Sequence, residues 1–233
     1  MTTGLTVILT HEHADFDALA SMLAAWKLNP QALPILPRQL NRNVREFLTL
    51  YRSALPFVAA SDAPPRRVTH ALVVDTQSFA PVRRMSAQTT GEIIDHHELQ
   101  TNLQPGWSYA GDKVGATTTL LVERLQNENI SLTMIEATCL LLGIYEDTGA
   151  LTYSATTARD ATCVAWLLQP AQGANLEVVN RFLHHSLSSE QQDLLDQLIA
   201  NSEPFEFGSQ PVIIAWATSV SYTHLTLPTS DLV

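Results

Sequence analysis

The sequence predicts an α/β fold in which a mostly parallel sheet is flanked by helices. Short apolar runs alternate along the chain with longer Ala/Leu-rich stretches, a pattern typical of parallel strands joined by helical crossovers. Charged residues make up only 15% of the 233 residues, which favours elements buried on both faces. Apolar residues make up 45%, and this fraction excludes a disordered chain.

The order of the elements follows from where apolar runs meet turn and stop residues. Residues 5–9 form a β-rich run, and Asn29-Pro30 ends the Ala/Leu-rich helix that follows it. The predicted strands are residues 5–9, 33–36, 68–75 and 91–95. The predicted helices are residues 17–28, 43–53, 115–126, 133–146 and 158–168.

The pattern changes from about Ser186 onward. An amphipathic helix over 188–200 precedes a hairpin over 204–217, and a hairpin alone is marginally stable in water. We therefore expect the hairpin to open a second domain that this chain does not complete. The predicted organisation is a first domain over 1–186, a linker helix over 187–202, the start of a truncated C-terminal substrate domain over 203–219, and a tail over 220–233 interpreted as non-native, with a genuine extension as the alternative.

Charge and cysteine content limit the partners and the compartment. The net charge of −10 argues against strong nonspecific binding to nucleic acid. No apolar run approaches the roughly 18 residues that cross a membrane, so no membrane partner is expected. Cys139 and Cys163 lie in apolar helical stretches and are interpreted as buried thiols of a cytoplasmic protein.

Aspartate and histidine residues cluster directly after apolar runs, most of which are predicted strands. Because parallel strands place their carboxyl ends at one edge of the sheet, clusters that follow them can meet there. A single aspartate after a strand is usually a helix cap or a turn residue, so each cluster alone is weak evidence. The clusters are His11 to Asp17, Asp75, Asp95-His96-His97, and Asp147.

Together the clusters have the composition of a metal site. Carboxylates with imidazoles and no thiolate suit a hard or borderline divalent cation. Carboxylates gathered at one edge would repel one another strongly without cations. Two metal ions about 3.5–4 Å apart would relieve that repulsion and provide a hydrolytic mechanism.

In this order, the motifs resemble those of the DHH phosphoesterase superfamily. The first motif, H-x-x-x-D-x-D, is His11, Asp15 and Asp17, and the triplet at 95–97 gives the superfamily its name. The resemblance covers about residues 5–185 and implies a DHH-type, Rossmann-like sheet. The segments THEHADFDALAS and GIYEDTGALTY are most similar to those of the subgroup whose DHH module is fused to a tRNA nucleotidyltransferase or poly(A) polymerase-like region.

The resemblance implies a role for each residue. His97 would face the substrate phosphate, and Asp95 would lie behind the metals and orient a neighbouring imidazole. His13, where relatives often carry Asn, is either an additional ligand or a residue of the rim, and we favour the rim. The implied metal ligands are His11 and Asp15 for one ion, Asp17, His96 and Asp147 for the other, and Asp75 as a bridge.

The Gly115-Ala116-Thr117 segment has two interpretations. A helix that opens at a glycine can offer free N–H groups to an anion, and relatives carry a similar turn, so the segment could bind the substrate phosphate. The alternative is a flexible helix start without a ligand.

The implied cofactors are two divalent metal ions, with Mn²⁺ favoured and Mg²⁺ as the alternative. The expected function is a phosphoesterase (hydrolase) module that cleaves phosphodiester bonds of nucleotides, oligonucleotides or RNA with a metal-activated water. Three alternatives stay open: the N-terminal module of a larger tRNA nucleotidyltransferase or poly(A) polymerase-like protein, a metal-binding module with little activity in this form, and, as a poorer fit, a pyrophosphatase.

Overall fold

A computed structural model describes residues 4–79, 81–100, 102–183, 189–208 and 210–218 of the chain. The chain divides into two compact units, Met1–Leu183 and His184–Val233. The predicted tail at 220–233 lies outside the described residues. Within the described residues, no helix combines the length and the apolar character that crossing a bilayer requires.

A parallel sheet forms the centre of the first unit. In the described part of that unit the sheet has six strands in the order β3-β2-β1-β4-β5-β6, and all neighbouring strands are parallel. This arrangement confirms the predicted α/β fold. The strands are β1 (Leu5–Leu9), β2 (Leu33–Leu36), β3 (Val58–Ala59), β4 (Val68–Val74), β5 (Thr90–Ile94) and β6 (Trp107–Ala110).

Helices pack on one face of this sheet. Ile8, Leu72 and Ile94 share an apolar cluster with the helices, whereas Val7 and Val73 point to the other face, as the period of two in a strand requires. The helices of the first unit are α1 (Phe16–Leu28), α2 (Arg42–Tyr51), α3 (Thr117–Asn127), α4 (Met134–Thr148), α5 (Ala158–Leu167) and α6 (Leu176–Leu183), with a short 3₁₀ helix at Arg52–Ala54.

Helix α1 lies in the middle of the helical layer. Every residue from Phe16 to Ala25 is buried, and the helix packs against both α3 and α4. Small side chains on α1 allow this close approach: an ideal Cβ on Gly143 of α4 would lie 2.6 Å from the Cβ of Ala20. The helix that carries Asp17 is therefore fixed by packing on several sides.

The second unit contains one helix and one hairpin in its described residues. Helix α7 (Ser189–Ala200) precedes β7 (Glu203–Phe207) and β8 (Gln210–Ile214), which pair antiparallel. Large apolar side chains of the hairpin are exposed, among them Phe207 at 84% and Ile213 at 74%. The interpretation of this hairpin as the start of a further domain stays a prediction.

Three elements of the first unit escaped sequence prediction. Strand β3 has two residues, and β6 has four that are mostly half-buried, because both strands lie at edges of the sheet. Helix α6 buries only Val179 and Phe182. Cys139 and Cys163, by contrast, are buried free thiols as expected.

Candidate metal centre

The clustered acids and imidazoles lie at the carboxyl edge of the central strands. The order of the sheet reverses between β1 and β4, and ligands of open α/β sheets bind at such a switch point. The hydroxyl of Thr10 donates to the carbonyl of Val74 at 2.8 Å, which ties the end of β1 to the end of β4. The backbone thus brings the first motif beside Asp75.

Asp75 leaves the sheet at a sharp turn. Its φ is 57°, a left-handed conformation that aspartate tolerates better than most side chains, and its N–H donates to the carbonyl of Ile94 at 2.9 Å. The carboxylate is buried and lies between two imidazoles. Its Oδ2 is 3.5 Å from His11 Nε2, and its Oδ1 is 4.0 Å from His96 Nε2.

The first cation-compatible group consists of His11, Asp15 and Asp75. One ligand atom from each lies within 4.8 Å of the others, and His11 Nε2 is 4.0 Å from Asp15 Oδ1. His11 Nδ1 lies 2.8 Å from the carbonyl oxygen of Glu12. Because a carbonyl can only accept, Nδ1 carries a proton, and Nε2 faces the two carboxylates.

The second group consists of Asp17, His96 and Asp147. His96 Nε2 is 3.5 Å from Asp147 Oδ2, and His96 Nδ1 is 3.1 Å from the carbonyl oxygen of Val114, so Nδ1 carries a proton and Nε2 faces the carboxylate. Among the described residues, Nε2 of His96 is buried and has no hydrogen-bond partner. An imidazole nitrogen surrounded by carboxylate oxygens in a buried site matches the donor set of a cation site.

Asp17 is fully buried and held by the start of α3. Its Oδ2 accepts a hydrogen bond from the N–H of Thr117 at 2.7 Å, and its Oδ1 accepts one from the N–H of Thr118 at 2.8 Å. The positive end of the α3 dipole partly compensates the buried negative charge. Asp15 caps α1 instead and accepts from the N–H of Ala18 at 3.0 Å.

Asp95 contacts the exposed imidazole of His97. The buried Asp95 Oδ1 lies 2.9 Å from His97 Nδ1 and accepts the His97 N–H at 3.1 Å, while Gln77 Nε2 donates to Oδ2 at 3.3 Å. The side chain of His97 is 59% exposed. These contacts fix the ring and leave its Nε2 directed away from Asp95.

Crowding of carboxylates perturbs their protonation. Burial, followed by the charges of Asp17, Asp15 and Asp147, raises the pKa of Asp75 well above its ordinary value. Burial and the charges of Asp17 and Asp15 raise the pKa of Asp147 to about 9. A bound cation would offset both shifts, because an opposite charge next to a carboxylate favours its ionised form.

Glu146 is a site neighbour that sequence reasoning missed. Its carboxylate accepts the N–H of Phe16 at the start of α1. Burial, together with the charge of Asp15, raises the pKa of Glu146 to about 7. The signal available in the sequence was its position next to Asp147 in the segment GIYEDTGALTY.

Two predicted site features have other contacts. Helix α3 begins at Thr117, and the N–H of Gly115 donates to both oxygens of Asp160, at 3.0 and 2.9 Å. The amides of Gly115 and Thr117 thus have carboxylate acceptors, and the predicted phosphate role of the segment stays a prediction. His13 is exposed and lies outside the cation-compatible groups found among the described residues.

Comparison with known proteins gives a family match and longer relatives. Residues 6–144 match the family model described as "DHH family, N-terminal domain". The A-adding tRNA nucleotidyltransferase of Geobacter sulfurreducens is 36% identical over 225 residues, which are 94% of this chain and 25% of the relative. The A-adding tRNA nucleotidyltransferase of Aquifex aeolicus is 31% identical over 219 residues, which are 93% of this chain and 25% of the relative.

The chain therefore spans about a quarter of the length of these curated relatives. Among solved structures, an exopolyphosphatase-related protein from Bacteroides fragilis has a TM-score of 0.64 at 18% identity. This likeness covers 88% of the present chain and 63% of the other, and it supports the fold alone.

Proposed function

The chain belongs to the DHH family, and we propose that its first unit is a phosphoesterase module that uses two divalent metal ions to hydrolyse phosphodiester bonds of nucleotides or short RNA. The observation that carries the proposal is the shared carboxylate of Asp75, which presents one oxygen to the Nε2 atom of each of two imidazoles. Such a carboxylate suits a bridge between two cations.

The residues present fit a pair of metal ions. Among the described residues, the buried Nε2 of His96 has no hydrogen-bond partner, and burial with the charges of neighbouring carboxylates raises the pKa of Asp75 and of Asp147, which a bound cation would offset. The mixed nitrogen and oxygen donors favour Mn²⁺ over Mg²⁺, which prefers oxygen and water. In the proposed assignment, His11 and Asp15 hold one ion, Asp17, His96 and Asp147 hold the other, and Asp75 bridges them.

The protein residues then supply orientation and charge. When bound, a pair of divalent ions lowers the pKa of a water molecule and stabilises negative charge on a phosphate. His97, held by Asp95 through Nδ1, directs Nε2 outward and donates a hydrogen bond to a substrate oxygen when the ring is protonated.

We also propose that the module works as part of a longer protein. The supporting observation is the identity of 36% across nearly the whole chain to a relative four times as long, which is named an A-adding tRNA nucleotidyltransferase. The exposed apolar hairpin β7–β8 is then the start of a substrate domain at 203–219, preceded by a linker helix at 187–202. A nucleotide or RNA substrate and a cytoplasmic location follow from the same proposal.

Asp75→Asn tests the proposed function. The variant keeps the shape of the side chain but removes its negative charge, so binding of both metal ions and hydrolysis of a dinucleotide should fall together. Elemental analysis and calorimetric titration with Mn²⁺ measure metal binding, and product release measures hydrolysis of the dinucleotide. Removing one acid from a crowded cluster should leave the metal-free protein at least as stable as the wild type.

The matched control is Asp62→Asn, which makes the same substitution at an exposed position outside the cation-compatible groups. This control should bind Mn²⁺ and hydrolyse the dinucleotide like the wild type. Wild-type protein that binds no divalent ion, or an Asp75→Asn variant that retains both ions and full activity, would contradict the proposal.

A further inference from the structure

We infer that Thr117 is a positioning residue of the metal centre, not a residue that contacts the substrate phosphate. The inference rests on the proposed function, because it concerns the same ligands. It assigns to the start of α3 the task of fixing three of the proposed ligands at once, namely Asp17, Asp75 and His96.

Thr117 makes three hydrogen bonds to these residues. Its hydroxyl lies 2.9 Å from Asp75 Oδ1, the backbone N–H of His96 points to the same hydroxyl at 3.2 Å, and its own N–H donates to Asp17 Oδ2 at 2.7 Å. The side chain is fully buried. These partners are 42, 21 and 100 positions away in the sequence, so the contacts join the ends of two strands to two helices.

The direction of these bonds is fixed by donor counting. A threonine hydroxyl has one proton, and the His96 N–H can only donate to it. The hydroxyl accepts that bond and donates its own proton to Asp75 Oδ1. The bond holds the Asp75 carboxylate in the rotation that leaves Oδ2 facing His11, which is the orientation a bridging ligand needs.

Helix α3 is itself anchored, so Thr117 has a rigid base. Asp160, fully buried, accepts the N–H of Gly115 and the hydroxyl of Thr119, the latter at 2.6 Å. No side chain fits at Gly115, because an ideal Cβ would lie 2.5 Å from the Cγ2 of Thr148. With its N–H and its hydroxyl engaged by protein groups, Thr117 offers no free donor to a phosphate.

Thr117→Val tests the inference, because valine keeps the shape and removes the hydroxyl. The experiment is a calorimetric titration of the full chain with Mn²⁺ alone in phosphate-free buffer. We expect the Mn²⁺ affinity to fall by roughly 10–100-fold, the range for the loss of a hydrogen bond to a metal ligand. Thr117→Ser retains the hydroxyl and should restore most of the affinity.

Two further variants separate positioning from a general loss of structure. Thr138→Val removes another buried hydroxyl, which donates to the carbonyl of Met134 and touches none of the proposed ligands, so its Mn²⁺ affinity should equal that of the wild type. Thr117→Ala repeats the test without the second methyl group of valine. Circular dichroism and the Tm of each metal-free variant report whether it is folded.

The outcomes are distinguishable. Folded Thr117→Val and Thr117→Ala variants that bind Mn²⁺ like the wild type overturn the inference and leave the proposed function standing, and a raised KM with normal Mn²⁺ affinity would return Thr117 to the substrate. A wild-type chain that binds no Mn²⁺ overturns the proposed function and this inference with it. Weak binding by both variants, with recovery in Thr117→Ser, supports the inference.

Discussion

The chemistry of single residues is set by buried carboxylates that lie close to one another. His11 and His96 both place Nδ1 against carbonyl oxygens and so direct Nε2 toward Asp75. A proton or a cation between an imidazole nitrogen and the carboxylate that it faces stabilises the pair. Metal binding and proton uptake therefore compete for the same atoms.

This competition predicts how the stability of the metal-free protein depends on pH. The pKa is raised to about 7 for Glu146 and to about 9 for Asp147, so the folded chain holds protons that the unfolded chain has already released. Their stabilising effect is complete below the unfolded pKa of about 4 and is lost as the pH rises through the two folded values. In a metal chelator, the free energy of unfolding should fall from about pH 4 to about pH 9 and level off above that.

Urea unfolding at several pH values measures this dependence. Asp147→Asn should flatten the curve above about pH 7, because it removes the group with the higher pKa. Saturating Mn²⁺ should restore stability at the alkaline end, since a ligand that binds only the folded state stabilises it. A metal-free wild type whose stability is flat or increases over this range would show that these carboxylates are not held protonated.

At the scale of the elements, the sequence predicted what depends on local signals. The Ala/Leu-rich run and Asn29-Pro30 located α1, and the strand–acid junctions located Asp75 and the triplet at 95–97. Edge strands such as β6 were missed because four half-buried residues carry almost no pattern. Local periodicity reports burial on one face, and short edge elements have little of it.

The contacts that complete the candidate site depend instead on distant parts of the chain. Thr117 reaches Asp75 across 42 positions, and the N–H of Phe16 reaches Glu146 across 130. A glycine followed by small polar residues at a helix start fits a phosphate turn equally well in the sequence. Only the folded chain assigns the Gly115 amide to Asp160 rather than to a ligand.

The packing of α1 against α4 leads to a prediction for Gly143→Ala. An ideal Cβ at this position would lie 2.6 Å from Ala20 Cβ and 3.0 Å from the carbonyl oxygen of Phe16, so α1 would have to move. Helix propensity alone favours alanine over glycine by about 1 kcal/mol. We expect net destabilisation of about 1–3 kcal/mol, as for other overpacked cores, together with weaker Mn²⁺ binding because α1 carries Asp17.

Thermal or urea unfolding of the metal-free Gly143→Ala variant measures the loss of stability, and titration with Mn²⁺ measures the loss of affinity. The sign of the change in stability distinguishes the two causes, since helix propensity and packing act in opposite directions at this position. An unchanged or raised Tm would show that α1 and α4 have room to separate, and that the glycine is not required for their approach.

For the whole molecule, the net charge of −10 and the crowded carboxylates have a common consequence. An acidic protein repels a phosphodiester, but two bound divalent ions would reverse the sign of the potential at the carboxyl edge of the sheet. The metal ions would then attract the substrate as well as activate it. Contacts that grip the rest of the substrate would come from the longer protein, of which this chain matches about a quarter.

The division into two units predicts that the metal centre needs only the first. All six proposed ligands and the hydrogen-bond partners described for them lie between Thr10 and Asp160, well inside the unit Met1–Leu183. A chain that ends after residue 186 should therefore fold, bind the same number of Mn²⁺ ions as the 233-residue chain and cleave a small activated diester at the same rate. Elemental analysis, calorimetry and a colorimetric diester assay compare the two forms directly. A shortened chain that is folded by circular dichroism but binds no Mn²⁺ would mean that residues beyond 186 complete the site, and the assignment of the centre to the DHH domain alone would be wrong.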